Sequence, residues 1–396
     1  MAELSGQAGD FDHTDPAIGE RIYEWIAERR PTCPIARGSK FGGFWAVFGY
    51  SDVTAALSDT GRFSSAAGID LPHLGTNVKS YPLEADPPEH GQYRRLIQPY
   101  FTRGAVARYA PMIRDLVAEH LAEIAPRGRA EVVSEIAQPV PSGIIALILG
   151  VDQSRWRDLH QWANGMLEAS IAGDPAGAQA FGRKLFEFLA AELEERKLVP
   201  RDDLLTAITQ ARIGGQEVPD ELRWGMAQVL MIAGHETTVN AAGSLIRRLA
   251  TRPRLRDEVA ADPAMRARVI EESLRFDPPV FGLARTVTEA TEMSGTAFAA
   301  GDRVLVCFGA ANHDPAVFDR PEEFDPARKQ NARHLAFGYG RHRCIGEHLA
   351  RLELDIFLEE FLRRIPEYRL VPGTRIEMKH ATVRGPKRFE ICWDPR

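Results

Sequence analysis

The run Phe337-Gly338-Tyr339-Gly340-Arg341-His342-Arg343-Cys344-Ile345-Gly346 sets three glycines around one cysteine, and Glu347-His348-Leu349-Ala350 then reads as the opening of a helix. Glycine permits positive φ and lets the backbone approach a flat partner closely. A cysteine at a helix N-terminus is favoured as the thiolate, and backbone N–H groups there can hydrogen-bond the sulfur. Such a sulfur suits ligation of a metal such as iron, whose potential those hydrogen bonds would tune. A glycine-rich turn around a buried, inert cysteine accounts for the same residues. The other cysteines, Cys33, Cys307 and Cys392, form with Cys344 no CxxC pair and no zinc spacing. They read as reduced thiols in a cytoplasmic protein.

A second group is Ala233-Gly234-His235-Glu236-Thr237-Thr238. Small or hydroxylated residues fall at 233, 234, 237, 238 and 241, with Leu230 before them, which is one face of a helix. A face that small can lie against a flat ligand and leave room for a small molecule. Glu236 and Thr237 offer a carboxylate beside a hydroxyl, the parts of a proton relay. A Ser/Thr bend or close helix packing would use the same residues. Glu272-Ser273-Leu274-Arg275 sets an acid and a base three apart, a pairing also common on solvated helices.

The elements that must position these groups are mostly helical. A helix is expected from Pro16 to Arg30, a strand at Phe44–Phe48, and a short helix capped by Ser51. Residues 60–85 read as a long loop. Helix dominates 87–277, with breaks at Pro126–Arg129, Gly173–Pro175, Pro200–Asp202 and Gly214–Pro219. One helix can run from Pro219-Asp220 to about Thr251, roughly 45 Å at the standard rise. The β-richer parts lie near 40–50, 280–310 and 376–393, and helix returns over 344–365. The chain therefore reads as a single domain over 1–396, mainly α (α+β), with a long central helix and small sheets.

Composition narrows the function. The net charge is -6, from 49 basic and 55 acidic side chains, which argues against a general nucleic-acid binder. The polar, acidic N-terminus lacks the features of an export signal, and no membrane span is expected.

The cysteine run resembles the haem-binding signature of the cytochrome P-450 family, FGxGxHxCxGxxLA, at every fixed position, and the other motifs recur in the family's order. The resemblance implies a haem-thiolate monooxygenase with that family's fold. It makes Cys344 the axial ligand of the iron of haem b. Phe337, Gly338, Gly346, Ala233 and Gly234 would then lie against the haem, and His90, Arg94, Arg285 and His342 would hold its propionates. Arg95 reads as solvent-facing. Thr237 and Glu236 look like the acid–alcohol pair that delivers protons to dioxygen, and His235 reads as an ordinary helix residue. Glu272 and Arg275 look like the structural ExxR pair. Arg328 is offered as its third member, because Pro321-Glu322-Glu323-Phe324 lacks the usual arginine.

The family also places a substrate pocket above the haem. Leu230, Ala233, Val280, Phe281, Leu283 and Val383 are expected to line it, with the 66–83 loop and residues 160–185. Such a pocket suits a hydrophobic small molecule. Electrons would come from NAD(P)H through a ferredoxin or flavodoxin and its reductase, and the protein would be monomeric. Arg103, Arg341, Arg343 and Arg351 could steer an acidic partner. Two other readings are a peroxide-driven peroxygenase of the same fold and a non-catalytic haem-based binding or sensor protein.

Overall fold

The computed structural model describes residues 10–72 and 78–395. The polar residues 1–9 and part of the expected pocket-lining loop, residues 73–77, lie outside the described residues.

Proline and apolar patterning explain much of the helical part. Pro139–Leu149 has proline in its first turn, where a missing N–H is harmless. It is apolar on nearly every face and almost wholly buried. The window Val132–Leu149 is apolar enough by composition to cross a membrane, yet most of it is buried inside this fold. Its side chains join those of Ala110–Ile124, Asp220–Ala233, Glu236–Ala250, Pro263–Phe276 and Glu347–Arg364 in one hydrophobic core.

The small sheets complete the architecture. The largest has five strands in the order Ile35–Gly38, Phe44–Val47, Arg303–Val306, Leu283–Val287, Phe63–Ser64. Arg303–Val306 pairs parallel with Phe44–Val47 and antiparallel with Leu283–Val287, which sets Arg285 opposite Val304. Near the C-terminus Glu377–Lys379 pairs with Gly385–Arg388.

Three expectations are corrected. The N-terminal helix is two pieces, Pro16–Gly19 and Ile22–Arg29. Ser51 does not cap the short helix: the helix is Tyr50–Ser58, and Asp314 Oδ2 accepts from the Tyr50 N–H at 2.8 Å. The long central helix is broken into Asp220–Ala233 and Glu236–Ala250. His235 stands between them at φ -103°, ψ -71°. Thr237 Oγ1 donates to Ala233 O at 2.9 Å, so a hydroxyl occupies a carbonyl of the helical ladder at the break.

A buried charge network ties the helices to the cysteine loop. Arg275 Nε and Nη2 each donate to Glu272 at 2.8 Å, and neither side chain is exposed. Arg328 Nε lies 3.5 Å from the same carboxylate. Arg275 also donates to Asn312 O, Pro321 O and Glu323 O. Asn312 Oδ1 in turn accepts from the Leu335 N–H at 2.6 Å, two residues before the glycine-rich run. Glu272 is thus the acid that neutralises two buried guanidiniums. Glu272→Leu should cost about 3–5 kcal/mol, the usual penalty for stranding a buried charge. A fall in the urea midpoint or loss of folded protein is the expected result; a midpoint equal to the parent's would contradict the network.

Candidate functional site

The cysteine loop is shaped by its glycines. Gly338 and Gly340 adopt φ of 68° and 67°, a region L-residues rarely enter. At Gly340 a Cβ would also stand 2.9 Å from Leu57 O. The turn is closed by the Gly338 N–H to Leu335 O at 2.8 Å and the Cys344 N–H to Phe337 O at 2.8 Å. The Gly346 N–H donates to the Cys344 sulfur. Gly338 is buried, and Phe337 and Gly346 are half-buried.

Cys344 lies deep among protein atoms, yet its side chain keeps an open face. Burial raises its thiol pKa, against the Gly346 N–H and the charges of Arg94 and Arg351. The helix Glu347–Arg364 begins three residues later. A bound metal cation would favour the thiolate.

One base, Arg94, lies near this sulfur, and three more, His90, His342 and Arg285, are linked to it. Arg94 is near enough for Cys344 to perturb it, and its Nη1 lies 3.5 Å from Arg341 O. The His90 and His342 rings are 4.2 Å apart between centroids. Arg285 is buried and lowers the His342 pKa. Burial first, then neighbouring positive charges, takes His90 down to about 4 and His342 to about 3. Burial lowers Arg285 to about 10. Asp86, the acid near Arg285, is already bonded to Ser64 Oγ and to the Ser65 N–H, and Ser65 Oγ lies 3.3 Å from His342 Nε2. His342 Nδ1 is buried without a partner, and among the described residues Arg285 makes one side-chain hydrogen bond, to Ala284 O. Arg95 is exposed, as expected.

This set fits a planar, dianionic metal cofactor. An open sulfur supplies the soft ligand, glycines leave a flat approach, and uncommitted bases await two carboxylates. It is the set expected for a haem.

On the central helix, Ala233 is exposed and Gly234 and Thr237 half-exposed, although nearly all their neighbours are buried. The break therefore presents a small, accessible face with one hydroxyl. Glu236 has its Oε1 in contact with Lys379 Nζ and 3.4 Å from Asn240 Nδ2. Thr238 hydrogen-bonds Glu353, whose pKa burial raises well above the usual carboxylate range.

The expected pocket residues divide. Val280 and Val383 are brought together by an antiparallel bridge and, with Leu283, keep partial exposure. Leu230 is mostly buried in the helical core. Phe281 does not line a pocket: it is fully buried against Phe11 and Tyr23, because the strand it precedes turns it toward the N-terminal core. The expected basic patch is also reduced. Arg343 is paired with Glu347, and Arg351 with Glu271 and Glu347, leaving Arg103 and Arg341 as the exposed charges without an acid partner here.

Sequence reasoning missed Lys379, His160, Asp86 and Glu353. Glu353 left a signal, a carboxylate between Leu349 and Phe357 on a buried helix face. His160 left none, because its partner His235 is 75 residues away. His235 is not an ordinary helix residue but a fully buried one, hydrogen-bonded to His160 at 2.7 Å.

Arg285→Leu should leave the fold intact and weaken haem retention several-fold, read as the rate of haem transfer to an acceptor protein. Unchanged transfer would remove Arg285 from the anion-binding set.

The family model described as Cytochrome P450 matches residues 177–393. Cytochrome P450 107B1 of Saccharopolyspora erythraea is 32% identical over 92% of this chain and 93% of its own length. Mycinamicin IV hydroxylase/epoxidase of Micromonospora griseorubida is 30% identical over 98% and 96%. Among solved structures, a mutant of P450 EryK in complex with erythromycin B superimposes with a TM-score of 0.87 at 30% identity, over 96% of this chain and 98% of that one.

Proposed function

The chain belongs to the cytochrome P450 family, and on that premise we propose that it is a haem b monooxygenase acting on a hydrophobic small organic molecule, with electrons passed from NAD(P)H by an external ferredoxin or flavodoxin system in the cytoplasm. The observation that carries this reading is the cluster of His90, Arg94, Arg285 and His342, with Arg94 near a cysteine side chain that keeps an open face. Cys344 would supply the thiolate that holds the iron. His90, Arg94, Arg285 and His342 would hold the propionates, with Phe337, Gly338 and Gly346 on the cysteine side and Ala233 and Gly234 on the other.

When bound, the haem supplies the electron-transfer and oxygen chemistry. The protein supplies the rest. The Cys344 thiolate would hold the metal and would donate electron density to it. The overall reaction takes up dioxygen, two electrons and two protons, inserts one oxygen atom into a C–H or C=C bond, and releases the other as water. Thr237 Oγ1 donates to Ala233 O and keeps its lone pairs free to accept; passing a proton on would require the hydroxyl to turn from that carbonyl, and its exposure at the break supports that role. Glu236 sits one residue away, with its Oε1 against Lys379 Nζ. Val280, Leu283 and Val383 offer apolar surface with partial exposure.

The substrate class follows from the same surface and from relatives. Erythromycin C-12 hydroxylase and Steroid C26-monooxygenase are 32% and 31% identical. A largely apolar molecule with few polar groups fits the residues here. Glu272, Arg275 and Arg328 act in folding and haem retention.

Thr237→Ala tests the proton role. Haem content and ligand-induced spin shift should be preserved, while the fraction of reductant converted to product falls several-fold and peroxide is released. Unchanged coupling would take Thr237 out of the mechanism.

A further inference from the structure

A chain of polar contacts outside the proposed haem-binding set reaches the break in the central helix. Helix Trp156–Ile171 carries His160 and, one turn on, Asn164. Asn164 Nδ2 lies 3.0 Å from His160 Nε2, and His160 Nδ1 lies 2.7 Å from His235 Nε2. An amide nitrogen can only donate, so His160 Nε2 accepts and its proton sits on Nδ1. That proton is donated to His235 Nε2. The proton of His235 is therefore on Nδ1, which is buried with no partner, as is Glu236 Oε2.

These contacts are hydrogen bonds rather than a metal site. His160, His235 and Glu236 present ligand atoms within 4.8 Å of one another. Two tetrahedral zinc ligands at about 2.0–2.1 Å from the ion would stand about 3.3 Å apart, wider than the contact between these nitrogens. Lys379 already neutralises the carboxylate.

His235 occupies the break itself, where no regular helix fixes the backbone. Its ring is held in the described structure by His160, from a different helix. Glu236 and Thr237 follow at once. From this we infer that His160 is a positioning residue for oxygen activation: its hydrogen bond to His235 fixes the break of the central helix and thereby the placement of Glu236 and Thr237. The inference rests on the monooxygenase reading above. Burial keeps both rings neutral, with pKa values lowered to about 3, so the bond persists at neutral pH.

The test compares the parent with His160→Phe, which removes the donor, and His160→Gln, whose amide can donate to His235. Ring ¹⁵N resonances should show both histidines as Nδ1–H in the parent. His235 should become a tautomer mixture in His160→Phe and return to Nδ1–H in His160→Gln. Reductant-to-product coupling should fall several-fold in His160→Phe and recover in His160→Gln. Peroxide-driven turnover, in which the oxidant brings its own protons, should fall far less. An unchanged His235 tautomer or unchanged coupling in His160→Phe would overturn the inference, as would a Gln variant no better than Phe. If the parent binds no haem, the monooxygenase reading fails, and the tautomer result still decides the hydrogen bond.

Discussion

Burial raises the pKa of the Cys344 thiol despite the Gly346 N–H and two nearby arginines, and a metal cation at the sulfur would oppose that shift. The surrounding bases have the converse problem. Arg285, His90 and His342 are desolvated, and the nearby Asp86 is already committed to two serines. The two imidazoles are neutral, but Arg285 keeps its charge, and a buried charge without its partner is costly. One cofactor with a metal at its centre and two carboxylates at its edge would answer both the sulfur and the buried arginine. The loop, the strand carrying Arg285 and the helix carrying His90 and Arg94 come together around that requirement.

The helical frame holds this arrangement from behind. Glu272 neutralises Arg275 and Arg328, and Arg275 reaches Asn312, which fixes the N–H of Leu335 ahead of the loop. On the other side, the central helix yields regular geometry at Gly234–His235, where Thr237 takes the Ala233 carbonyl. A regular helix would satisfy that carbonyl with a backbone N–H. The break instead leaves a hydroxyl on an accessible face, and a histidine whose ring a neighbouring helix secures.

Local chemistry was legible in the sequence where one segment carries the whole signal. The glycine spacing marked the cysteine loop, and the family resemblance extended from it to Arg285 and Arg328, which the fold brings to His342 and to Glu272. Glu272 and Arg275 were paired through the family resemblance, which also implied their burial. What stayed hidden depends on partners far apart in the chain. The His160–His235 bond, the Lys379–Glu236 pair and the Ser64–Asp86 contact each join segments that sequence pattern does not relate. Phe281 was misplaced because an apolar residue beside a pocket and one in a core look alike in sequence. The unbroken central helix was misread because a side-chain hydroxyl competing for a backbone carbonyl leaves propensity unchanged.

The central claim is that Cys344 binds haem iron as a thiolate. The most direct measurement is the absorption spectrum of the dithionite-reduced protein under carbon monoxide, for the parent and for Cys344→His. The account predicts a strongly red-shifted Soret band in the parent that moves to the position typical of histidine ligation in the variant. A parent spectrum of the histidine type, or one that Cys344→His leaves unchanged, would contradict it.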